Sequence, residues 1–391
     1  MSSVSAYSGS QGTVRVVLPF DLADLLAGWR LVQAAMLNEV PAEFTRDEWA
    51  YLAAFLSETN LRLPFARSFG AAAGAAVENG LLARPRGRVA LWLPNNVSLL
   101  GPLMLIVVSL TGNRLRMKAG SRSEDLTGIF LDFVRRHARD GALAAYLADS
   151  VRHEVFSADD PRNLEMAAEG AVRIVFGSDA AAAAIDALPH PADSLSVAFV
   201  DRRSEAWLEP ERCDDATLRD LIKVFAIYGL AGCTSPARAV LLDSDRRAAL
   251  DLRDRLVDLW PSVIRGRPEM NLASDNLCAL QLARMAGWDA RLVADGRAVV
   301  SVGDHSLPTY PALLELRLVP ASRAQAREGL PDNIQTIGHA LRDASAPEWL
   351  DLLAKTNVVR FVPLGAMHHF ETVWDGRDFF AELFTYTRVT Q

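Results

Sequence analysis

The sequence predicts an α/β protein with mainly parallel sheets, and three observations support that class. Short apolar runs typical of buried strands alternate with amphipathic segments of helical spacing along the 391 residues. Hydrophobic residues make up 50% of the chain, which at this length is enough for a large core divided between two domains. Glycine, proline or asparagine residues follow many of the apolar runs and end the predicted elements.

The first half of the chain begins with helices and continues with strand–helix units. Residues 20–85 carry apolar side chains at helical spacing. The apolar run 97–110 predicts a buried helix, because it is too short to span a bilayer, which takes about 20 residues. Residues 123–148 predict another helix, interrupted at Gly141. The strands predicted in this half are, in order, "RVALWLP", "TGNRLRMKAG", "VRIVFGSD" and "LSVAFVD".

The second half continues the alternation. Acidic residues at the start and a glycine at the end indicate a helix over residues 214–229, and residues 246–260 also have helical spacing. An Asp-Gly pair between the apolar runs "RLVADG" and "RAVVSVGD" predicts a hairpin. The remaining strands predicted in this half are "RAVLLD", "LLELRLVP" and "VVRFVPLG".

Charge and cysteine content narrow the class of protein. The net charge of −7 argues against general nucleic-acid binding, which usually needs a basic surface. Three cysteines without CxxC spacing predict neither a disulfide framework nor a metal site. The start of the sequence lacks the basic and apolar regions of a signal peptide. We therefore expect a cytoplasmic protein without a membrane span.

Cys233 stands at a corner between a predicted helix and the strand "RAVLL". Gly232 before it has no side chain, and Thr234, Ser235 and Pro236 restrict the chain after it. A lone cysteine is more often a buried apolar residue, but this corner exposes a thiol whose backbone N–H can also point at a reacting carbonyl. The preceding helix presents its negative end, which does not stabilise a thiolate. The sequence therefore leaves the activation of the thiol open.

Asn96 follows another strand end. The strand "RVALWLP" stops at Pro94, and Asn95 and Asn96 come directly before a predicted helix. An asparagine in this position commonly caps a helix. The alternative is that its amide donates a hydrogen bond to a developing oxyanion, which contributes roughly 3 kcal/mol to catalysis.

Two further strand ends carry residues suited to a phosphorylated ligand. Lys118, Ser121 and Arg122 follow one strand, and open parallel sheets bind ligands at that end of a strand. Arginine can bind a phosphate through two hydrogen bonds and lysine as a point charge. Gly177 and Ser178 end another strand before a helix, where backbone N–H groups can face a pyrophosphate. A plain turn explains this second pair equally well.

These segments follow one another in the order of a known family. The chain resembles the acyl-CoA reductases of the bacterial bioluminescence type, a branch of the aldehyde dehydrogenase superfamily. The matching segments, within residues 88–380, are "LPNNVSLLGP", "LTGNRLRMKAGSR", "VRIVFGSD", "GCTSPARAVLL" and "VVRFVPLGAMHHFETVWDGRDFF". The last segment, with its R-x-V-P-L-G … W-D-G pattern, is the most particular to this branch.

The resemblance implies an aldehyde dehydrogenase-like fold, with a Rossmann-type nicotinamide-binding domain and an α/β catalytic domain. It implies that Cys233 takes an acyl group from a thioester, and that Asn96 and the backbone N–H of Cys233 bind the oxyanion. Lys118 corresponds to a contact with the adenosine ribose of the cofactor, and Gly177 and Ser178 to the turn beside its pyrophosphate and nicotinamide. The implied reaction is the NAD(P)H-dependent reduction of an acyl thioester such as acyl-CoA to the aldehyde, by covalent catalysis.

Two departures from relatives refine this expectation. Aldehyde-oxidising relatives carry a glutamate in Glu-Leu-Gly-Gly-Lys that activates water, whereas "LPHPADS" stands there without a carboxylate at that position. That suits a reductase, which must keep water from its acyl-enzyme. Ser121 replaces the acid frequent in NAD-preferring members, and Arg122 lies beside it. Together these residues favour NADPH, with NADH as the alternative.

The resemblance also suggests boundaries and partners. We expect residues 1–205 to hold N-terminal helices and the nicotinamide-binding domain, residues 206–345 to form the catalytic domain, and residues 346–391 to return to the first domain or an oligomer interface. The expected substrate is acyl-CoA or a carrier-protein-bound acyl thioester. We also expect a homo-oligomer, and an acyl-transferring or acyl-activating enzyme as a partner.

Other functions fit the same residues. An acyltransferase or thioesterase would use the acyl-Cys233 without hydride transfer, and the missing glutamate that holds the nicotinamide ribose in relatives, near Pro311, favours it. A non-catalytic binding protein would leave Cys233 as a structural residue. The absent water-activating glutamate disfavours an aldehyde-oxidising enzyme. His368 and His369, in the closing segment, are interpreted as an exposed pair rather than as substrate contacts.

Overall fold

The computed structural model describes residues 13–70, 80–94, 97, 99–120, 124–200, 202–227, 232–265, 270–304 and 314–390. In chain order its helices are Leu22–Met36 (α1), Arg46–Phe55 (α2), Glu58–Phe69 (α3), Leu100–Thr111 (α4), Leu126–His137 (α5), Gly141–Ser150 (α6), Arg162–Glu169 (α7), Asp179–Asp186 (α8), Asp215–Ala226 (α9), Arg246–Val263 (α10), Met270–Met285 (α11), Arg323–Glu328 (α12), Pro347–Leu353 (α13) and Phe379–Glu382 (α14). Its strands are Thr13–Val16 (β1), Gly80–Pro85 (β2), Arg88–Trp92 (β3), Arg114–Ala119 (β4), Val151–Val155 (β5), Val172–Gly177 (β6), Leu195–Val200 (β7), Arg203–Leu208 (β8), Pro236–Leu242 (β9), Asp289–Leu292 (β10), Val299–Val302 (β11), Glu315–Ala321 (β12), Ile334–Ala340 (β13), Arg360–Pro363 (β14), Val373–Trp374 (β15), Arg377–Asp378 (β16) and Phe384–Val389 (β17). The alternation of helices with mainly parallel strands confirms the predicted α/β class.

The chain divides into two compact units. Unit 1 comprises Met1–Val200 and Arg377–Gln391, and unit 2 comprises Asp201–Gly376. The predicted boundaries lie elsewhere, at residues 205 and 345. Strand β8 belongs to unit 2 because it pairs with β9 and β13 in the sheet of that unit. Residues 346–376 also belong to unit 2, because β14 pairs with β13, and the chain returns to unit 1 only after them.

The main sheet of unit 1 is parallel, and its strands run in the order β5-β4-β3-β6-β7 within the described chain. The first strand of this series, β3, lies in the middle, and the chain builds outward on one side before it crosses to the other. Dinucleotide-binding sheets have this order, and their ligands bind beyond the carboxyl ends of the strands where the order reverses. In unit 1 that point lies between β3 and β6. The predicted buried helix is confirmed as α4, all of whose residues are buried.

A second sheet of unit 1 joins the two ends of the chain. Strand β2 pairs in parallel with β1 and antiparallel with β17. The prediction that residues 20–85 are helical is therefore wrong for Gly80–Pro85. The partner of this segment, β17, lies about 300 residues further along the sequence, so no local pattern reveals the pairing.

The sheet of unit 2 has the order β10-β11-β12-β9-β8-β13-β14 within the described chain. Its strands are parallel except β10, which is antiparallel to β11 and confirms the predicted hairpin. Helices α9 and α10 pack against one face, around a core that includes Phe225 and Trp260. Strand β9 lies in the middle of this sheet. No helix among the described residues is long and apolar enough to cross a membrane.

Candidate active site

Cys233 lies in the turn between α9 and β9, at the amino end of the middle strand of unit 2. Within the turn, the backbone N–H of Ser235 donates to the carbonyl of Gly232 at 3.0 Å. Gly232, Thr234 and Ser235 are buried, whereas Cys233 is exposed. The turn therefore presents the cysteine side chain and buries its neighbours.

Side-chain hydrogen bonds fix the backbone on both sides of the thiol. The Ser204 hydroxyl on β8 donates to the carbonyl of Cys233 at 2.6 Å. Thr234 Oγ1 lies 2.7 Å from His368 Nδ1, and His368 Nε2 lies 2.6 Å from the carbonyl oxygen of Val224 in the last turn of α9. His368 thus joins the end of α9 to the turn that carries Cys233.

These hydrogen bonds determine which ring nitrogen of His368 carries the proton. Because the Val224 carbonyl can only accept, Nε2 carries the proton and Nδ1 accepts from the hydroxyl of Thr234. Burial lowers the pKa of His368 to about 4, and the positive charge of Arg360 acts in the same direction. The imidazole is therefore neutral at pH 7. The interpretation of an exposed pair is wrong for His368, which is largely buried, while His369 is exposed.

Acid is expected to destabilise the protein through His368. The pKa of this residue is about 4 when folded against an ordinary 6.5, so the unfolded chain takes up the proton first as the pH falls. Above pH 6.5 this group does not lower the free energy of unfolding. As the pH falls from 6.5 towards 4, the free energy of unfolding should decrease by at most about 3 kcal/mol. Urea unfolding of the parent and His368→Gln at pH 7 and pH 5 measures this loss.

Glutamine can donate to Val224 and accept from Thr234, but it does not titrate. The His368→Gln variant should therefore lose less stability between pH 7 and pH 5 than the parent. An equal loss in both proteins would contradict the assignment of His368 as a neutral, buried group.

The surroundings of Cys233 disfavour a resting thiolate. The side chain is accessible to solvent, yet the protein atoms around it desolvate the thiol and are the main reason that its pKa rises to about 11. The negative charge of Asp375 also raises this pKa, while Arg360 and the backbone N–H groups of Cys233 and Thr234 lower it. The thiol is therefore protonated at neutral pH, and it would need a proton acceptor in order to act as a nucleophile.

Sequence reasoning missed Asp375 and Arg360 as neighbours of the thiol. Asp375 and Gly376 both have left-handed backbone conformations, with φ of 48° and 74°, as the W-D-G turn requires. The guanidinium of Arg360 stacks on the ring of Trp374, 4.5 Å from its centroid. Both residues lie in the segment most particular to the family resemblance. Nothing in that segment, however, indicates that it folds back towards Cys233.

Three of the residues proposed for the cofactor lie at the carboxyl edge of the main sheet of unit 1. Lys118 is near the end of β4 and Gly177 ends β6, on the strands that flank β3, and Ser178 follows Gly177 directly. Unit 1 thus brings these residues to the edge where the strand order reverses. The other predicted site residues of this part of the chain lie outside the described residues: Asn96, Ser121 and Arg122.

The side chains at this edge have distinct surroundings. The Lys118 ammonium is half-buried, 5.8 Å from the centroid of the Phe156 ring, and desolvation lowers its pKa. Ser178 caps α8, and its Oγ accepts from the backbone N–H of Ala181 at 3.2 Å. A Cβ on Gly177 would meet the Cβ of Ala181 at 3.6 Å, which is an ordinary contact. Packing within unit 1 therefore does not require glycine at position 177.

Comparisons with solved structures identify the fold. An aldehyde dehydrogenase of Bartonella henselae is 11% identical with a TM-score of 0.63, over 95% of this chain and 87% of that one. A betaine aldehyde dehydrogenase of Staphylococcus aureus, solved with NAD+, is 11% identical with a TM-score of 0.66, over 94% and 82%. A glyceraldehyde-3-phosphate dehydrogenase of Methanocaldococcus jannaschii, solved with NADP, is 10% identical with a TM-score of 0.66, over 95% and 90%. The predicted aldehyde dehydrogenase-like fold is confirmed.

Comparison by sequence identifies the family. The family model for acyl-CoA reductase (LuxC) matches residues 81–386, which is most of the chain. A comparison with curated proteins finds no match. The match confirms the resemblance inferred from the motifs. The chain belongs to the LuxC family of acyl-CoA reductases, oxidoreductases that act on acyl and aldehyde groups, and it has the fold of the aldehyde dehydrogenases.

Proposed function

We propose that the protein reduces an acyl thioester, such as acyl-CoA, to the aldehyde through a thioacyl intermediate on Cys233, with NAD(P)H as the reductant. The observation that carries this proposal is the turn at Cys233. An exposed thiol stands there among buried, hydrogen-bonded neighbours, at the amino end of the middle strand, in a chain of the acyl-CoA reductase family. Such a thiol can meet a substrate while its backbone stays fixed.

The reaction divides into two steps. The Cys233 sulfur attacks the thioester carbonyl, the bond from the acyl carbon to CoA sulfur breaks, and the acyl group remains on the enzyme. A bound reduced nicotinamide supplies the hydride for the acyl carbon. The hemithioacetal on Cys233 then collapses, which releases the aldehyde and restores the free cysteine. We assign the backbone N–H of Cys233 and the amide of Asn96 to the oxyanion in both tetrahedral states.

The carboxyl edge of the unit 1 sheet suits the cofactor, because its strand order is that of dinucleotide-binding sheets. We place the adenosine ribose beside Lys118, whose ammonium is half-buried there, and the pyrophosphate beside Gly177 and Ser178, at the start of α8. The hydroxyl of Ser121 and the guanidinium of Arg122 can accommodate a 2′-phosphate, which favours NADPH over NADH.

A Lys118→Met variant is expected to bind the cofactor less tightly. Loss of one charge-assisted hydrogen bond contributes about 1.5–3 kcal/mol, so the KM for NADPH should rise by about 10-fold or more while kcat changes little. Steady-state kinetics with the cofactor varied measures the effect. Lys355→Met, at an exposed position in unit 2, is the matched control. An unchanged KM in Lys118→Met would contradict the placement of the ribose.

The absorbance of reduced nicotinamide tests the function itself. The protein is mixed with NADPH or NADH and a series of acyl-CoAs of increasing chain length, and with the same acyl groups on a carrier protein. Loss of absorbance with stoichiometric aldehyde supports the proposal and ranks the thioesters. Release of CoA without oxidation of either nicotinamide would instead establish the acyltransferase or thioesterase alternative. Neither event with any thioester would favour a binding protein.

A further inference from the structure

The proposed function leaves one requirement unmet, because a protonated thiol must lose its proton as it attacks the thioester. We propose that the carboxylate of Asp375 is the general base of Cys233: it takes the thiol proton through a bridging water and returns it to the departing thiolate. The assignment rests on the proposed function, which it deepens by naming the residue that activates the nucleophile.

The fold buries the Asp375 carboxylate and gives its backbone an uncommon conformation, both of which are energetically unfavourable. Only 6% of its side chain is exposed, and its backbone is left-handed with φ of 48°, a conformation that few residues other than glycine adopt. One carboxylate oxygen, Oδ1, accepts a hydrogen bond from the side-chain amide of Gln335, which is buried on β13. The fold therefore fixes the orientation of this carboxylate from a neighbouring strand.

The second carboxylate oxygen is available. Oδ2 of Asp375 is buried and accepts no hydrogen bond from the described residues. Arg202 forms an ion pair with this oxygen, but its Nε is 3.9 Å away, which is beyond hydrogen-bond distance. Buried polar atoms in folded proteins nearly always have a partner, and exceptions point to a bound water or a functional role. A lone pair on Oδ2 can thus accept the hydrogen of a water.

Burial leaves the pKa of Asp375 above its ordinary value, and neighbouring groups offset only part of this rise. Burial raises the pKa of Asp375, while the amide of Gln335 and the cations Arg202 and Arg360 lower it. Arg360 is itself fixed, since it donates to the carbonyls of Met367 at 3.0 Å and His369 at 3.1 Å. Cys233 is influenced by the same two charged side chains, Asp375 and Arg360. The strand pairing supports this proximity: Gln335, which binds Asp375, lies at the start of β13, and the adjacent start of β8 carries Ser204, which donates to the carbonyl of Cys233. Asp375 is therefore held at the same amino-end edge of the unit 2 sheet as Cys233.

Other candidate bases near the turn are already engaged. His368 uses Nε2 to donate to Val224 and Nδ1 to accept from Thr234, so it has no free lone pair for a thiol proton. Glu205, on the neighbouring strand β8, is paired with Arg238 at 2.7 Å and accepts from the indole of Trp207. In contrast to Glu205, Asp375 has a carboxylate oxygen without a hydrogen-bond partner among the described residues.

The step balances without another reactant. As the Cys233 sulfur forms its bond to the acyl carbon, its proton passes to the bridging water, and a proton of that water passes to Asp375. The carbon–sulfur bond to CoA then breaks, and the departing thiolate takes the proton back from the carboxylic acid along the same path. The products are acyl-Cys233 and CoA thiol, and Asp375 ends as the carboxylate that began the step.

An Asp375→Asn variant separates this role from a structural one, because asparagine tolerates the left-handed conformation and can still accept from Gln335. Two rates are measured: alkylation of Cys233 by iodoacetamide across pH, and CoA release in the first turnover with an acyl-CoA and no nicotinamide. Because the charge of Asp375 raises the pKa of Cys233, its removal should shift the pH at which alkylation is half-maximal to a lower value. Acylation at pH 7 should nevertheless fall by about 10²–10⁴-fold, the usual contribution of a general base.

The matched control is Asp351→Asn, at an exposed position on α13, which should leave both rates unchanged. Acylation that is unchanged or faster in Asp375→Asn would overturn the assignment, since the carboxylate would then only repel a thiolate. Loss of both alkylation and acylation would also overturn it, in favour of a structural role.

The parent enzyme provides a test that needs no variant. With Asp375 as base, its acylation rate should reach a plateau above the pKa of the carboxyl, well below pH 11. A rate that instead follows thiol ionisation up to pH 11 would contradict the proposal. Failure of the parent to release CoA from any acyl-CoA would overturn the proposed function, and this assignment with it.

Discussion

A Cys233→Ala variant is expected to lose CoA release and nicotinamide oxidation together, each by at least about 10³-fold. Both steps of the proposed reaction pass through the bond between the acyl carbon and the Cys233 sulfur, so removal of the sulfur removes both. Folding should be little affected, because the side chain is exposed and the hydrogen bonds of the turn are made by its backbone and its neighbours. First-turnover CoA release and steady-state NADPH oxidation, on the same preparation, measure the two losses.

The other cysteines provide the controls. Cys278 is exposed on α11, and Cys278→Ala should retain full activity. Cys213 is buried, and burial raises the pKa of its thiol to about 12, so it is unreactive at neutral pH. Residual CoA release by Cys233→Ala at more than about one-tenth of the parent rate would show that another residue accepts the acyl group.

Removal of one partner from the buried ion pair of unit 2 is expected to have the largest effect on stability. Glu205 on β8 and Arg238 on β9 are 2% and 3% exposed and lie 2.7 Å apart. Trp207 donates its indole N–H to the same carboxylate at 3.1 Å, and Arg238 donates to the carbonyl of Gly329. In Glu205→Ala the arginine charge would stay buried without its carboxylate, so the free energy of unfolding should fall by about 3–5 kcal/mol.

Urea unfolding gives this free energy, and two comparisons isolate its cause. Arg246→Ala removes one partner of an exposed ion pair, with Asp289, and should cost less than about 1 kcal/mol. The double variant Glu205→Leu with Arg238→Met replaces both charges by apolar groups, and it should recover much of the loss. A Glu205→Ala variant as stable as the parent would show that the pair does not hold the two strands together.

Two strands that the sequence does not reveal, β8 and β13, carry buried polar residues that find their partners only in the folded protein. Strand β8 carries Glu205, and β13 carries Gln335 and Thr336, all buried. Neither has the uninterrupted apolar run by which a buried parallel strand is predicted. The partners that make their burial acceptable, such as Arg238 and Asp375, come from distant segments. Local patterns cannot show such pairs.

Another strand is not predicted from the sequence because it lies at the edge of its sheet. Strand β5 has the sequence "VRHEV" and lies at the edge of the unit 1 sheet, where one side of the strand pairs with no other described strand. Edge strands need not be apolar, and charged residues on them discourage aggregation. By contrast, β3, β6 and β9 are central and mostly buried, and their apolar runs predict them directly.

The candidate site also has one part that the local sequence predicts and another part that only the fold brings together. The corner at Cys233 follows from local chain chemistry, because Gly232 and Pro236 bracket a short turn before an apolar strand. The partners of that corner, His368 and Asp375, lie more than 130 residues away, and only the fold places them near the thiol. Asp375 and Gly376 form a turn in the closing segment, but the sequence of that segment does not indicate that the carboxylate lies near Cys233.

Mass spectrometry of the enzyme mixed with acyl-CoA in the absence of nicotinamide tests the thioacyl intermediate most directly. We expect a mass increase equal to the acyl group on the peptide that contains Cys233, and we expect it to disappear with release of aldehyde when NADPH is added. An acyl group on a different residue, or no adduct under conditions in which CoA is released, would contradict the assignment of Cys233. An adduct that neither NADPH nor NADH discharges would contradict the reductase and leave acyl transfer as the function.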